Sequence, residues 1–177
     1  TLTRGEPGVT GVVGAPIVED EVLALAAAAE AESEHPLARA IVAAARDREL
    51  AVAGASGFRA SAAVGVRAEV DGREVAVGGP ALLRERGLEP LAETTQWSDD
   101  GATVLHVVAG GEVVGAVALA DEIRPESREA VDALHDRGVR VVMITGDAQP
   151  VARAVAAELG IDQVFAGVRP ENKREKV

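Results

Sequence analysis

Hydrophobic and polar positions along the chain follow two rhythms. Between Glu19 and Glu32 an Ala-rich run sets Val22, Leu23, Leu25 and Ala26 on one side, with acids at its start where they favour the helix dipole. Ser33–Leu37, read as SEHPL, interrupts it. Proline biases His35 away from helical geometry and suits the first position of a new helix, Pro36–Arg48, so His35 is expected at a helix–helix junction. Past Gly54 the period drops to two. Val64, Val66, Ala68 and Val70 alternate with Gly65, Arg67 and Glu69, and Asp71-Gly72 turns the chain back through Arg73–Val77 as a type I′ hairpin. A short helix over Pro80–Arg86 closed by Gly87, a helix over Glu93–Ser98 and a second hairpin, Thr103–Val108 with Val113–Leu119 around Gly110-Gly111, are expected next.

After Asp121 the helical rhythm returns. Pro125–Arg137 predicts a helix with Ala130, Val131 and Leu134 inward and Gly138 as its stop. Val139, Val141, Val142, Met143 and Ile144 form an apolar run that reads as a strand buried on both faces of a parallel sheet. A helix over Pro150–Leu159, a stop at Gly160 and a strand at Gln163–Phe165 complete a βαβ order, which requires a right-handed crossover. Thr1–Gly14, with glycines punctuating valines, predicts a first strand. The expected fold class is α/β: an incomplete parallel-sheet domain, residues 1–15 and 116–177, interrupted by an inserted α+β domain of antiparallel sheet and helices, residues 16–115.

Composition narrows the function. The 177 residues carry 18 Lys and Arg against 29 Asp and Glu, a formal charge of −11, with one Trp, two Phe and no Tyr. No basic, aromatic-interleaved stripe appears, which argues against nucleic acid or an anionic membrane surface as partner. Without cysteine the chain holds no disulfide and no thiolate metal site. Apolar runs such as Val22–Ala29 fall short of the ~20 residues that span a bilayer. A soluble piece is expected, and the start at Thr1 without methionine suggests a segment of something longer.

Several residues invite chemistry. Thr145-Gly146-Asp147 follows an apolar strand and precedes a helix, where hydroxyl and backbone N–H groups can hold phosphate oxygens; Asp147 as a plain helix N-cap is the alternative. Lys173 offers a cation for phosphate, or a solvated charge. The His35 imidazole can stack on a purine or donate to it, and Glu30 upstream can accept from an exocyclic amine; a capping histidine beside a surface glutamate is the other reading. Gly65, Gly78 and Gly79 lie at hairpin ends, where a backbone without Cβ admits a ligand, and where glycines also serve as ordinary turn residues.

In order, Thr1-Leu2-Thr3, Ser33–Leu37 (SEHPL), the glycine hairpin, Asp121–Pro125 (DEIRP), Met143–Asp147 (MITGD) and Pro170–Lys173 (PENK) resemble the heavy-metal, type IB branch of the P-type ATPases. The likeness is to the cytoplasmic loop with its nucleotide-binding and phosphorylation domains, and the copper-transporting members are nearest. It implies a haloacid-dehalogenase-like parallel sheet domain carrying an inserted nucleotide-binding domain. It also implies ATP and Mg2+ as cofactors, metal export driven through an aspartyl-phosphate, and the transmembrane and actuator domains of the same pump as partners. The chain would be a cytoplasmic domain of an integral plasma-membrane protein.

Carried over by position, Glu30 and His35 would contact the adenine. Gly65, Val66, Gly78 and Gly79 would line the nucleotide pocket. Thr145, Gly146, Asp147 and Lys173 would surround the phosphoryl group, and no metal ligand is assigned. Two departures stand out: the family's paired glycines appear as Ala63-Val64-Gly65, and Gly79 stands where asparagine is usual. The phosphorylated aspartate belongs to a DKTG segment expected just before Thr1, and the magnesium-binding GDGxND segment is expected past Val177, so this piece is expected to form no phosphoenzyme. The competing reading is a haloacid-dehalogenase-class phosphatase with a large cap, although Thr1–Gly14 contains no nucleophilic aspartate.

Overall fold

Strands β1 (Thr3–Gly14), β2 (Ala55–Ser61), β3 (Gly65–Val70), β4 (Arg73–Gly78), β5 (Thr103–Ala109) and β6 (Glu112–Ile123) form a six-stranded sheet in the order β1-β6-β5-β4-β3-β2. The protein is described here by a computed structural model covering residues 2–147 and 149–168. Pairings from β2 through β6 are antiparallel. Asp71 and Gly72, both at positive φ, make the expected tight turn between β3 and β4, and Gly110-Gly111 does the same between β5 and β6. The second strand, β2, has no counterpart in the sequence expectation. It lies at the edge with most side chains in solvent, so it carries little apolar alternation.

Helices α1 (Glu19–Glu30) and α2 (Pro36–Asp47) cover one face of this sheet, and their packing makes the main core. The small side chains of α1 let it sink deeply: Val22, Leu23 and Ala26–Ala29 are all at most 1% exposed. The helix is therefore buried nearly all round rather than along the single stripe read from sequence. Helix α3 (Pro80–Arg86), closed by Gly87 at φ 64°, packs Leu82 and Leu83 against Ala76 and Val108 in a second cluster. On helix α4 (Glu93–Asp99), Trp97 lies against Gly11, where an added Cβ would come within 2.9 Å of its ring.

The described residues divide into two compact units: 6–98 with 103–120, and 2–5 with 99–102 and 121–168. The divisions fall inside β1 and β6, at 5/6 and 120/121, and not at 15/16 and 115/116 as the sequence suggested. The reason is that β1 belongs to the antiparallel sheet. Ala15 donates to the Val114 carbonyl and Thr10 to that of Ala118, so β1 runs against β6; it is not the first strand of the parallel sheet.

In the smaller unit, β7 (Val142–Ile144) and β8 (Gln163–Phe165) pair in parallel, bridged by α6 (Gln149–Leu159). Met143 packs on Ala152 and Ala156 of α6. Among the described residues β7 has a strand on one side only, and Val142 remains 44% exposed, so the expectation of burial on both faces is corrected. Helix α5 (Pro125–His135) turns Ser127 and Val131 inward, while Ala130 and Leu134 face solvent, contrary to the sequence reading. Its start is anchored by Arg124, which donates from its backbone to Leu2 and from Nε to the Thr3 carbonyl at 2.9 Å.

Candidate functional site

The junction between α1 and α2 is held by its own side chains. Pro36 occupies the first turn of α2, and His35 is the N-cap, with extended backbone (φ −65°, ψ 140°) and Nδ1 accepting from the Leu37 N–H at 3.2 Å. An accepting Nδ1 requires the proton on Nε2, so the outward nitrogen of this exposed ring is a donor. Ser33 Oγ accepts from the His35 N–H at 3.4 Å. Glu30 ends α1 and is 6% exposed; burial raises its carboxyl pKa, and a hydrogen bond from the Ser33 side chain partly opposes the rise.

These groups border a cavity of about 360 Å³. One wall is the α1–α2 junction, with Glu30, Ser33 and His35. The other is the ribbon of the β2–β3 turn and the facing ends of β3 and β4, including Gly65, Val66, Gly78 and Gly79. The structure thus brings together all six residues that the sequence assigned to a nucleotide pocket. Among the described lining residues, Glu30 and His35 are the ionisable ones, and the volume suits a small organic ligand.

The glycines divide by role. Gly65 and Gly78 are register partners, and each lacks a Cβ because the opposite strand's backbone occupies its place. A Cβ on Gly65 would strike the Val77 carbonyl and come 2.7 Å from Gly78 Cα, and one on Gly78 would strike the Val64 carbonyl. Gly79 has open space around it at φ −76°. The close approach expected for a ligand is, at Gly65 and Gly78, an approach of strand to strand. Ala63, where the resemblance calls for glycine, adopts φ 62°. Leu105 and Val77 also line the cavity; nothing distinguishes them locally from any buried strand residue, because only the sheet order carries them there.

In the smaller unit Thr145, Gly146 and Asp147 form one tight loop. Thr145 Oγ1 donates to Asp147 Oδ2 at 2.6 Å and accepts from the Asp147 N–H at 3.2 Å. Backbone bonds from Thr145 to Phe165 and from Gly167 to Asp147 pin the loop to β8 and the turn beyond it. Lys173 lies outside the described residues. Among the described residues no group of three His, Asp or Glu converges as a metal site, and no helix is long and apolar enough to cross a membrane.

An antiparallel unit that carries this cavity and a parallel βαβ unit that carries the Thr-Gly-Asp loop define an α/β protein with an inserted domain. The haloacid dehalogenase-like hydrolase family matches residues 1–177, and the chain belongs to that family. It is 46% identical over its full length to the copper-exporting P-type ATPase B of Archaeoglobus fulgidus, of which it spans 26%. It is also 44% identical over 98% of its length to a copper-transporting P-type ATPase of Rhizobium leguminosarum bv. viciae, spanning 21% of that protein. Among solved structures, a zinc-transporting PIB-type ATPase in an E2.Pi state aligns with all of this chain and 29% of its own, with a TM-score of 0.90 and 37% identity.

Proposed function

We propose that the larger unit is the nucleotide-binding domain, and the smaller unit part of the phosphorylation domain, of a heavy-metal-translocating P-type ATPase with copper as cargo. The observation that supports this most is the cavity between the α1–α2 junction and the glycine ribbon. Its lining offers a buried carboxylate, an imidazole donor and bare backbone, and its described lining residues include no Lys or Arg. Such a lining takes the base and ribose of ATP and leaves the phosphates outside. Glu30 accepts from the exocyclic amine, and His35 donates from Nε2 or stacks on the ring.

Thr145, Gly146, Asp147 and Lys173 are assigned to the transferred phosphoryl group, where positioning and charge neutralisation carry the chemistry. Mg2+ is the ion such a transfer takes. The described residues supply no set of ligands for it. Copper rests on the names of the curated relatives. The same reading gives the chain a transmembrane and actuator partner in its own pump, on the cytoplasmic side of the plasma membrane. DKTG does not occur among the 177 residues, and we assign this chain no phosphoenzyme of its own.

Titrating isotope-labelled chain with ATP tests the proposal. Amide shifts are expected at Glu30, His35, Gly65, Gly78 and Gly79, and His35→Ala should weaken binding about tenfold, the equivalent of one lost contact worth ~1.4 kcal/mol. Saturating ATP without shifts at the α1–α2 junction would overturn it.

A further inference from the structure

We infer that a recess behind the glycine ribbon is an anion subsite, which takes the terminal phosphates of the nucleotide whose base occupies the cavity. The inference rests on the nucleotide reading above and deepens it, since the cavity's described lining gives those phosphates no cation. The recess holds about 60 Å³, room for roughly two waters and the scale of one phosphate group. Ser61, Val64, Gly65 and Val66 line both the recess and the cavity, so only the β2–β3 turn and the start of β3 stand between them. Arg67, Glu85 and Arg86 are its charged lining. Side chains alternate along β3, so Val66 enters the core under α1 and α2, while Arg67 stands on the face where α3 packs.

The charges on that face are sorted by sign along the strands. Arg67, near the ribbon, has Arg59 as its register partner on β2. Glu69, two residues further toward the Asp71-Gly72 turn, has Glu74 as its partner on β4. Like charges set opposite one another repel, a cost that exchanging one of each would remove. Both arginines are exposed, and neither forms an ion pair among the described residues. Arg86 is fixed in the wall by Glu74 at 2.7 Å with its side chain 23% exposed, and a guanidinium held through one nitrogen keeps donors to spare. Glu85 is the one charge of the described lining that opposes an anion. An unpaired guanidinium beside a fixed one fits phosphate oxygens, and a phosphate between them relieves the repulsion that the fold leaves unanswered.

The test measures the affinities of the 177-residue chain for adenosine, AMP, ADP and ATP, unsubstituted and as Arg67→Ala, Arg67→Lys and Glu85→Gln. Arg67→Ala is expected to weaken ATP about fivefold and to leave adenosine within about twofold, with ADP between, because the lost contact is to the terminal phosphates. Arg67→Lys keeps the charge but loses the fork, so it should recover part of the affinity. Glu85→Gln should tighten ATP about twofold, and raising salt from about 50 to 200 mM should shrink both effects. Retained adenosine affinity shows that each variant is folded. Equal weakening of adenosine and ATP in Arg67→Ala, or no change in either, would overturn the inference while leaving the nucleotide reading intact. It is overturned as well if Arg67→Ala alters the 31P signal of inorganic phosphate on the chain but not the affinity for ATP, since the recess then holds free phosphate. If the unsubstituted chain binds neither adenosine nor ATP, both readings fall together.

Discussion

The tightest physical constraint at the cavity is Gly65, and Gly65→Ala measures it. Gly65 sits opposite Gly78 at φ +144°, and a Cβ there would overlap the Val77 carbonyl. Restoring ordinary contact, which begins near ~3.5 Å, means parting β3 from β4 by about 1 Å. Overpacking of this kind costs about 1–3 kcal/mol, and holding alanine in a glycine-only backbone conformation adds about 1–3. The sum, about 2–6 kcal/mol, is a large share of the 5–15 or so that holds a domain together. Gly79→Ala is the control: its Cβ meets nothing within 4 Å, and as a change at the α3 N-cap it should cost no more than about 1 kcal/mol. Urea unfolding followed by fluorescence reads the right unit, because Trp97 is the single tryptophan and belongs to the larger one. With a urea dependence near ~2 kcal/mol per molar, Gly65→Ala should lower the midpoint by about 1–3 M, and Gly79→Ala by less than about 0.5 M. Equal midpoints for Gly65→Ala and the unsubstituted chain would refute the strand-to-strand account of this glycine.

Three further outcomes are expected. His35→Asn keeps an acceptor at the α2 N-cap, so it should hold the stability that His35→Ala loses by about 1 kcal/mol, yet both should weaken ATP; calorimetric titration alongside thermal melting separates the two roles. His106, 3% exposed with Nδ1 unpartnered, has its pKa lowered by burial, so the folded larger unit binds fewer protons than the unfolded chain. Its stability should therefore decline as pH falls below about 6.5, and His106→Leu should flatten that decline in Trp97-monitored urea series. Asp162 accepts from the Val141 N–H at 2.7 Å and pairs with His135 at 3.0 Å, both of which lower its pKa. Its contribution is present above the ordinary aspartate range and lost as pH falls through the lowered value, so Asp162→Asn should remove an acid-dependent component from hydrogen-exchange protection at β7. An unchanged acid profile in either variant would refute the corresponding assignment.

Local chemistry alone determined much of this protein. Pro36 after His35, Gly87 after Arg86, Asp71-Gly72 between alternating runs and Gly160 after Leu159 each set a backbone conformation that no distant contact has to supply, and the helices and hairpins stand where those residues put them. Glu30, His35 and the glycines of the cavity were legible too, because SEHPL and the glycine ends are short-range signals, whereas Val77 and Leu105 reach it only through the sheet order. What only the tertiary structure decided concerns partners distant in sequence. β1 joins β6 in the antiparallel sheet because pairing depends on which strand edge is available, a choice that its valines and glycines do not encode. Burial of Ala27–Glu30 follows from α1 sinking between α2 and the sheet, and Ala130 and Leu134 face solvent because among the described residues nothing covers that side of α5. Glu30 and His35 come to border one cavity with the glycine ribbon only once the helices meet the sheet, since that proximity belongs to the folded chain and not to the order of its residues.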